Sequence, residues 1–102
     1  MNVDAIRTQG EAAAGLLKSL ANEHRLMILC ELSKGERSVG ELEAVVGLGQ
    51  SALSQHLAKL RRRQVVKTRR QSRTIHYSLA DPGVKKIIRA LYAVYCGPPH
   101  RS

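Results

Sequence analysis

Phenylalanine and tryptophan are absent, and Tyr77, Tyr92 and Tyr95 are the only aromatic residues apart from histidine. The core must therefore be built from Leu, Ile, Val and Ala, a set that suits helix packing. Cysteine is scarce: Cys30 and Cys96 stand far apart and outside any Cys-x-x-Cys spacing. This excludes a disulfide-stapled scaffold and a zinc or redox motif of that type. No apolar run approaches the roughly 20 residues of a membrane span. Met1 to Gly10 is polar and mixed, unlike a signal sequence. The polar residues offer no nucleophile, base and orienting partner in a set, so no enzyme activity is expected. Internal repeats, low-complexity tracts and interdomain linkers are also missing. These absences imply one cytoplasmic domain spanning 1–102, with no membrane partner and no cofactor. Only Gly97 to Ser102 reads as a frayed end.

Acidic residues nearly vanish from the second half of the 102-residue chain. Residues 51–102 hold twelve Lys/Arg against Asp81 alone, a balance of +11, whereas residues 1–50 hold five against seven, a balance of −2. Together they give the formal net charge of +9. So one-sided a basic field favours a polyanion. An anionic membrane surface fits less well, because the cations do not face a broad apolar stripe.

Helical spacing of Ala13, Leu16, Leu17 and Leu20 predicts a first helix over 4–20, with Gly15 marking close packing. Asn22 is placed to cap a second helix carrying Leu26, Met27, Leu29, Cys30 and Leu32, which stops near Gly35. Ser38 and Glu41 form a capping box for a short third helix with Leu42, Val45 and Val46 on its buried face. Gly47-Leu48-Gly49 turns the chain into a fourth helix, Gln50–Arg62, striped by Leu53, Leu57 and Leu60. The period then changes to alternation over Val65–Arg70 and Thr74–Leu79, around a polar tip Gln71-Ser72-Arg73. Asp81 and Pro82 open a last helix over 83–96. Its Val84, Ile88, Leu91 and Tyr95 form more apolar surface than one small domain covers. The expected fold is mainly α with a β-hairpin wing: four helices, two strands and a fifth helix. A helix-turn-helix over 38–62 is followed by a wing over 64–79, which makes a winged helix-turn-helix.

The fourth helix turns Gln50, Ser51, Ser54, Gln55, Lys59 and Arg62 away from its leucines. Such a face suits the major groove, where glutamine amides can pair with adenine and cations can meet phosphates or guanine. The wing adds Arg69, Arg70 and Arg73 for the minor groove or the backbone. His56 adjoins the leucine stripe and reads as packing or a helix–helix hydrogen bond rather than a base contact. Double-stranded DNA is the expected partner.

Ala21-Asn22-Glu23-His24-Arg25-Leu26-Met27-Ile28-Leu29, Ser38-Val39-Gly40-Glu41-Leu42 and Gln50 through Arg61 resemble the ArsR/SmtB family of regulators. The resemblance covers nearly the whole chain. It implies a homodimer formed by the first and last helices, 4–20 and 83–96, which represses transcription at an inverted-repeat operator and releases it to a ligand or oxidant. The metal-sensing patterns of that family are missing. The helix before the polar-faced one reads Glu41-Leu42-Glu43-Ala44-Val45-Val46, without a thiol pair. The last helix, Val84 to Cys96, carries no His, Asp or Glu. Leu29-Cys30-Glu31-Leu32 and Leu91-Tyr92-Ala93-Val94-Tyr95-Cys96 instead resemble the dithiol branch of the family typified by BigR, SqrR and HlyU. There the implied effector is a reactive sulfur species or oxidant, read by thiols equivalent to Cys30 and Cys96. Two other readings remain. One is a metalloid or thiophilic-metal sensor using Cys30, Cys96 and His24 or His100. The other is a nucleic-acid-binding module, for DNA or RNA, that senses nothing.

Overall fold

A computed structural model describes residues 1–97, in the order α1 (Val3–Leu20), α2 (Glu23–Leu32), β1 (Arg37–Ser38), α3 (Val39–Val46), α4 (Gln50–Arg62), β2 (Val66–Gln71), β3 (Thr74–Leu79) and α5 (Pro82–Tyr95). Side chains cap four of the five helices. Asn22 Oδ1 accepts the backbone N–H groups of His24 at 3.0 Å and Arg25 at 3.1 Å. Ser38 Oγ accepts the Glu41 N–H while Glu41 Oε1 accepts the Ser38 N–H, closing the capping box. Asp81 caps α5 through the Gly83 N–H, with Pro82 at the first helical position. Gly49 starts α4 without a side-chain bond. Each cap satisfies a backbone donor that the helix itself leaves orphaned.

Turns follow the same logic. Gly47 ends α3 with φ +78°, a left-handed conformation that costs glycine nothing. Gln64 takes φ +59° and closes α4 by letting the Val65 N–H reach the Leu60 carbonyl at 2.9 Å. The hairpin turns on Ser72 and Arg73, and Gln71 is the last paired residue of β2, opposite Thr74. The expected three-residue tip is thus two residues. The strand β1 was not foreseen. It pairs Arg37 with Tyr77 and Ser38 with His76, so the sheet is antiparallel in the order β1-β3-β2. A two-residue strand has no alternation to read, and Ser38 already serves as a cap.

The core gathers Leu20, Ile28, Leu29, Leu32, Leu42 and Val46 with Leu53, Leu57, Leu60, Val65, Val66, Val84 and Ile88. It is wholly aliphatic, and no polar side chain is buried among the described residues. Val84 and Ile88 belong to it, at 0% and 6% exposure, which corrects the expectation that they face outward. The outward apolar side chains on the two end helices are Val3, Ile6 and Leu17 on α1, and Tyr92, Val94 and Tyr95 on α5. Among the described residues, no helix is long and apolar enough to cross a membrane. The architecture is a winged helix-turn-helix: α3, a glycine turn and α4, followed by the β2–β3 wing.

Candidate DNA-binding face and thiol pair

The stripe of Leu53, Leu57 and Leu60 is buried, which sets the rotation of α4 about its own axis. Gln50, Ser51, Ser54, Gln55, Lys59 and Arg62 are all exposed as a consequence. The helix contains no acidic residue, and its last turn carries Lys59, Arg61 and Arg62. Nothing on α4 therefore repels a polyanion.

The wing divides its side chains between two faces. Directly opposed residues in an antiparallel pair share a face. Val66 with Leu79, Thr68 with Tyr77 and Arg70 with Ile75 form the face turned to the core and to α4. Arg70 stands at its outer end, and Arg73 lies in the turn, both exposed. Lys67, Arg69 and Gln71 occupy the other face. There Arg69 is held by Glu36: Nη2 donates to Oε1 at 2.7 Å and Nε to Oε2 at 3.0 Å. The Arg69 guanidinium also donates to Gln71 Oε1 at 3.3 Å. These bonds hold the Glu36 carboxyl below the usual carboxylate range and raise the Arg69 pKa. Arg69 thus differs from Arg70 and Arg73, with which the sequence groups it. Its carboxylate partner is 33 positions away and invisible to local reading.

One further residue, Tyr77, joins the face without a signal in the sequence. Ser54, Ala58, Arg61 and Arg62 of α4 line a cleft whose far wall is Tyr77 of β3. Arg61 belongs to the basic run Arg61-Arg62-Arg63, whose cations the sequence already offers to phosphates or guanine. Tyr77 was out of reach of sequence reading, because its position depends on the register of the hairpin.

His56 is tied to the scaffold. Arg25 Nη1 lies 3.3 Å from His56 Nδ1, and Arg25 Nε donates to the Ser19 carbonyl at 2.7 Å. One guanidinium so joins α1, α2 and α4. The His24 and His56 rings stand 5.9 Å apart, tilted by 32°. Burial, then the charge of Arg25, then His24 and Lys59 hold the His56 pKa below its ordinary value. Arginine only donates, so Nδ1 must be the unprotonated acceptor in this bond.

Cys30 is half-buried on α2 and packs on the aliphatic core; Cys96 is exposed and caps α5, its N–H donating to the Tyr92 carbonyl at 2.7 Å. Both are free thiols, and the helices α2 and α5 pack against each other. Glu31, next to Cys30, is held by Arg37 at 2.9 Å and Lys34 at 3.1 Å, which lower its pKa. His24 is engaged at the other end of α2, six residues or about 9 Å from Cys30 along the helix axis. No group of three His, Cys, Asp or Glu residues able to hold a metal ion occurs among the described residues. His100 and Arg101 lie outside them.

Residues 22–68 match the bacterial regulatory protein arsR family. The transcriptional activator HlyU of Vibrio cholerae is 48% identical over 96 residues, covering 94% of this chain and 89% of that protein. The structure of reduced HlyU from the same organism superposes with a TM-score of 0.85 over 92% of this chain and 99% of that one, at 47% identity. A biofilm growth-associated repressor of Agrobacterium fabrum is 46% identical over 94 residues, covering 92% of this chain and 80% of that protein. The transcriptional repressor BigR from Xylella fastidiosa superposes with a TM-score of 0.91 at 40% identity, covering 96% of this chain and the whole of that one.

The Arg25–His56 link sets a pH dependence for stability. Neutral His56 is favoured in the folded state, so its contribution is full above about pH 6.5 and is lost as the pH falls through the lower folded value. Thermal melts taken from pH 8 to pH 5 should show a drop in Tm on the acid side that His56→Gln reduces. An identical acid-side drop in the variant would show that His56 does not set it.

Proposed function

The chain belongs to the ArsR family of bacterial regulatory proteins, and from that premise we propose that it is a homodimeric repressor that leaves its operator when Cys30 and Cys96 are oxidised or linked by reactive sulfur. The coarser part needs no proposal: this family and these relatives are DNA-binding transcription regulators and not enzymes. Repression is chosen over activation because the Agrobacterium and Xylella relatives are repressors.

Gln50, Ser51, Ser54 and Gln55 of α4 meet base edges, while Lys59, Arg62, Arg70 and Arg73 meet phosphates or a groove edge. Arg69 braces the wing against Glu36 and contributes less to DNA. The observation that carries the DNA reading is the exposed, acid-free face of α4 beside a cationic wing. The homodimer rests on the uncovered apolar side chains Ile6 and Leu17 of α1 with Tyr92 and Tyr95 of α5. A twofold dimer would present two α4 helices to the two half-sites of an inverted repeat.

The sensing step rests on the placement of the two cysteines of the chain on helices that pack together. One thiol takes the outer sulfur of a persulfide R–S–S–H, releasing R–S–H and leaving a cysteine persulfide. The second thiol attacks the inner sulfur of that group and expels H₂S, so the two cysteines end as a disulfide. The persulfide is the two-electron oxidant, and every proton is accounted for in R–S–H and H₂S. A cytoplasmic setting, where free thiols persist, fits this chemistry.

Four measurements test the proposal. In gel shifts, the reduced protein should bind operator DNA and the persulfide-treated protein should not. Cys30→Ser and Cys96→Ser should each bind constitutively, and release by either single variant would remove the dithiol step. Sedimentation at micromolar concentration should give a dimer that Leu17→Glu converts to monomers; a monomeric wild type would refute the assembly. Gln55→Ala should cost roughly 1–3 kcal/mol on the operator and little on random DNA. Arg70→Ala and Arg73→Ala should each flatten the dependence of log K on log salt by about 0.9 per lost phosphate. Arg69→Ala should flatten it less, and an equal effect would show that Glu36 releases Arg69 to the DNA.

A further inference from the structure

The flank of α4 turned away from the wing faces α1 across an open cleft of about 710 Å³. Lys18 of α1, Arg25 of α2, Lys59 and Arg62 of α4, and Arg63 just beyond it line this cleft, with Glu11 the one acidic residue in its wall. Arg25 is committed to Ser19 and His56. Lys18, Lys59, Arg62 and Arg63 form no ion pair with a carboxylate among the described residues. The positive charge on this flank is therefore concentrated, with Glu11 as the one carboxylate in the wall to offset it.

The cleft has a second feature. Gly15 sits in the interior of α1, where glycine weakens a helix. A Cβ at that position would overlap the guanidinium of Arg63. Glycine makes the room in which Arg63 lies across α1 and presents its donors to the cleft. The apolar residues of α1 leave this flank free: Leu17 is about 100° from Lys18 around the helix, and about 160° from Gly15.

We infer that this cleft is a phosphate site engaged by the DNA backbone on the rim of the major groove opposite the wing. The inference rests on the reading that α4 enters that groove. A helix in a groove has a phosphate row on each side. Arg61 and Lys59 stand roughly 160° apart around α4, so they address opposite rows. Arg61 lines the cleft beside Tyr77 of the wing, and Lys59 lines the cleft beside α1. A free small anion is the poorer occupant. Small-molecule sites enclose most of their ligand, whereas this trough is open and runs into the exposed face of α4 through Lys59 and Arg62.

Lys18→Ala and Arg63→Ala, confirmed folded by thermal melting, should each weaken binding to operator and random DNA by the same factor. Each should lower the slope of log K against log salt by about 0.9, and the double variant by about twice that. Arg63→Lys should keep the wild-type slope, and Glu11→Gln should tighten binding to both DNAs. An unchanged slope in the folded double variant, with Arg70→Ala still flattening it, would overturn the inference and leave the major-groove reading intact. Saturable binding of inorganic pyrophosphate at fixed ionic strength, abolished by Arg63→Ala while the DNA slope stays unchanged, would overturn it in favour of a free anion. If Gln55→Ala and Arg70→Ala also leave DNA binding untouched, the major-groove reading fails and takes this inference with it.

Discussion

The burial of Leu53, Leu57 and Leu60 governs the rest of the structure. Three leucines on one side of a thirteen-residue helix leave only one rotation in which all are dry. Fixing that rotation decides which polar residues of α4 face outward, and so decides which of its cations address the wing and which address α1. Burial of three leucines contributes several kcal/mol, at about 1.5–3 kcal/mol for each side chain. Individual surface ion pairs contribute at most about 1 kcal/mol. The aliphatic stripe, not the polar bonds, therefore holds α4. The Arg25 bonds to Ser19 and His56 then refine its position against α1 and α2.

Charge is organised around that helix. Several carboxylates of the first half have local duties: Glu41 closes a cap, Glu31 holds Arg37 and Lys34, and Glu36 holds Arg69. In the second half, Asp81 is engaged as the cap of α5. The cations around α4 are thereby left without carboxylate partners, since almost no acid follows residue 50 in the sequence. A uniform scatter of the same charges would give the same net value without a directed field. The position of Glu36 also sets a limit on the wing. It trades one cation that could meet DNA for a strut that fixes the angle of β2 against the loop before β1.

Elements whose evidence is local were legible in the sequence. Asn22, the Ser38–Glu41 box and Asp81 each act within three residues, and the structure uses all of them as read. The leucine stripe and the hairpin were equally clear, because periods of 3.6 and 2 are written in consecutive residues. What failed was whatever depends on a distant neighbour. Periodicity shows that Val84 and Ile88 share a face, but not that the face lies on their own core. The pairing of Arg69 with Glu36 and the approach of Arg63 to Gly15 join segments far apart in the chain, whereas His56 makes the helix–helix hydrogen bond that its place beside the leucine stripe suggests. Gly15 reads in the sequence as a point of close helix packing, but the group that approaches it is the Arg63 side chain.

The helix α5 has two loyalties along its length, and this matters for how a thiol event would reach α4. Its first half is anchored by Val84 and Ile88 in the aliphatic core. Its second half carries Tyr92, Val94, Tyr95 and Cys96 in the open. Under the dithiol reading, a bond from Cys96 to Cys30 would pull on the half that the core does not hold. Cys30 itself sits on α2, which packs on both α3 and α4. The bond would then bias two arrangements only as far as it fits one better than the other. The uncovered tyrosines lie beside Cys96, so any surface that a second copy covers there differs between the two arrangements. In the proposed dimer, small displacements at such a surface would be amplified over the distance to the two α4 helices, because packed helices shift as rigid bodies. Under the same reading, a thiol at the loose end of α5 with its partner on a helix fixed in the core would give a chemical event leverage that two thiols within the core would lack.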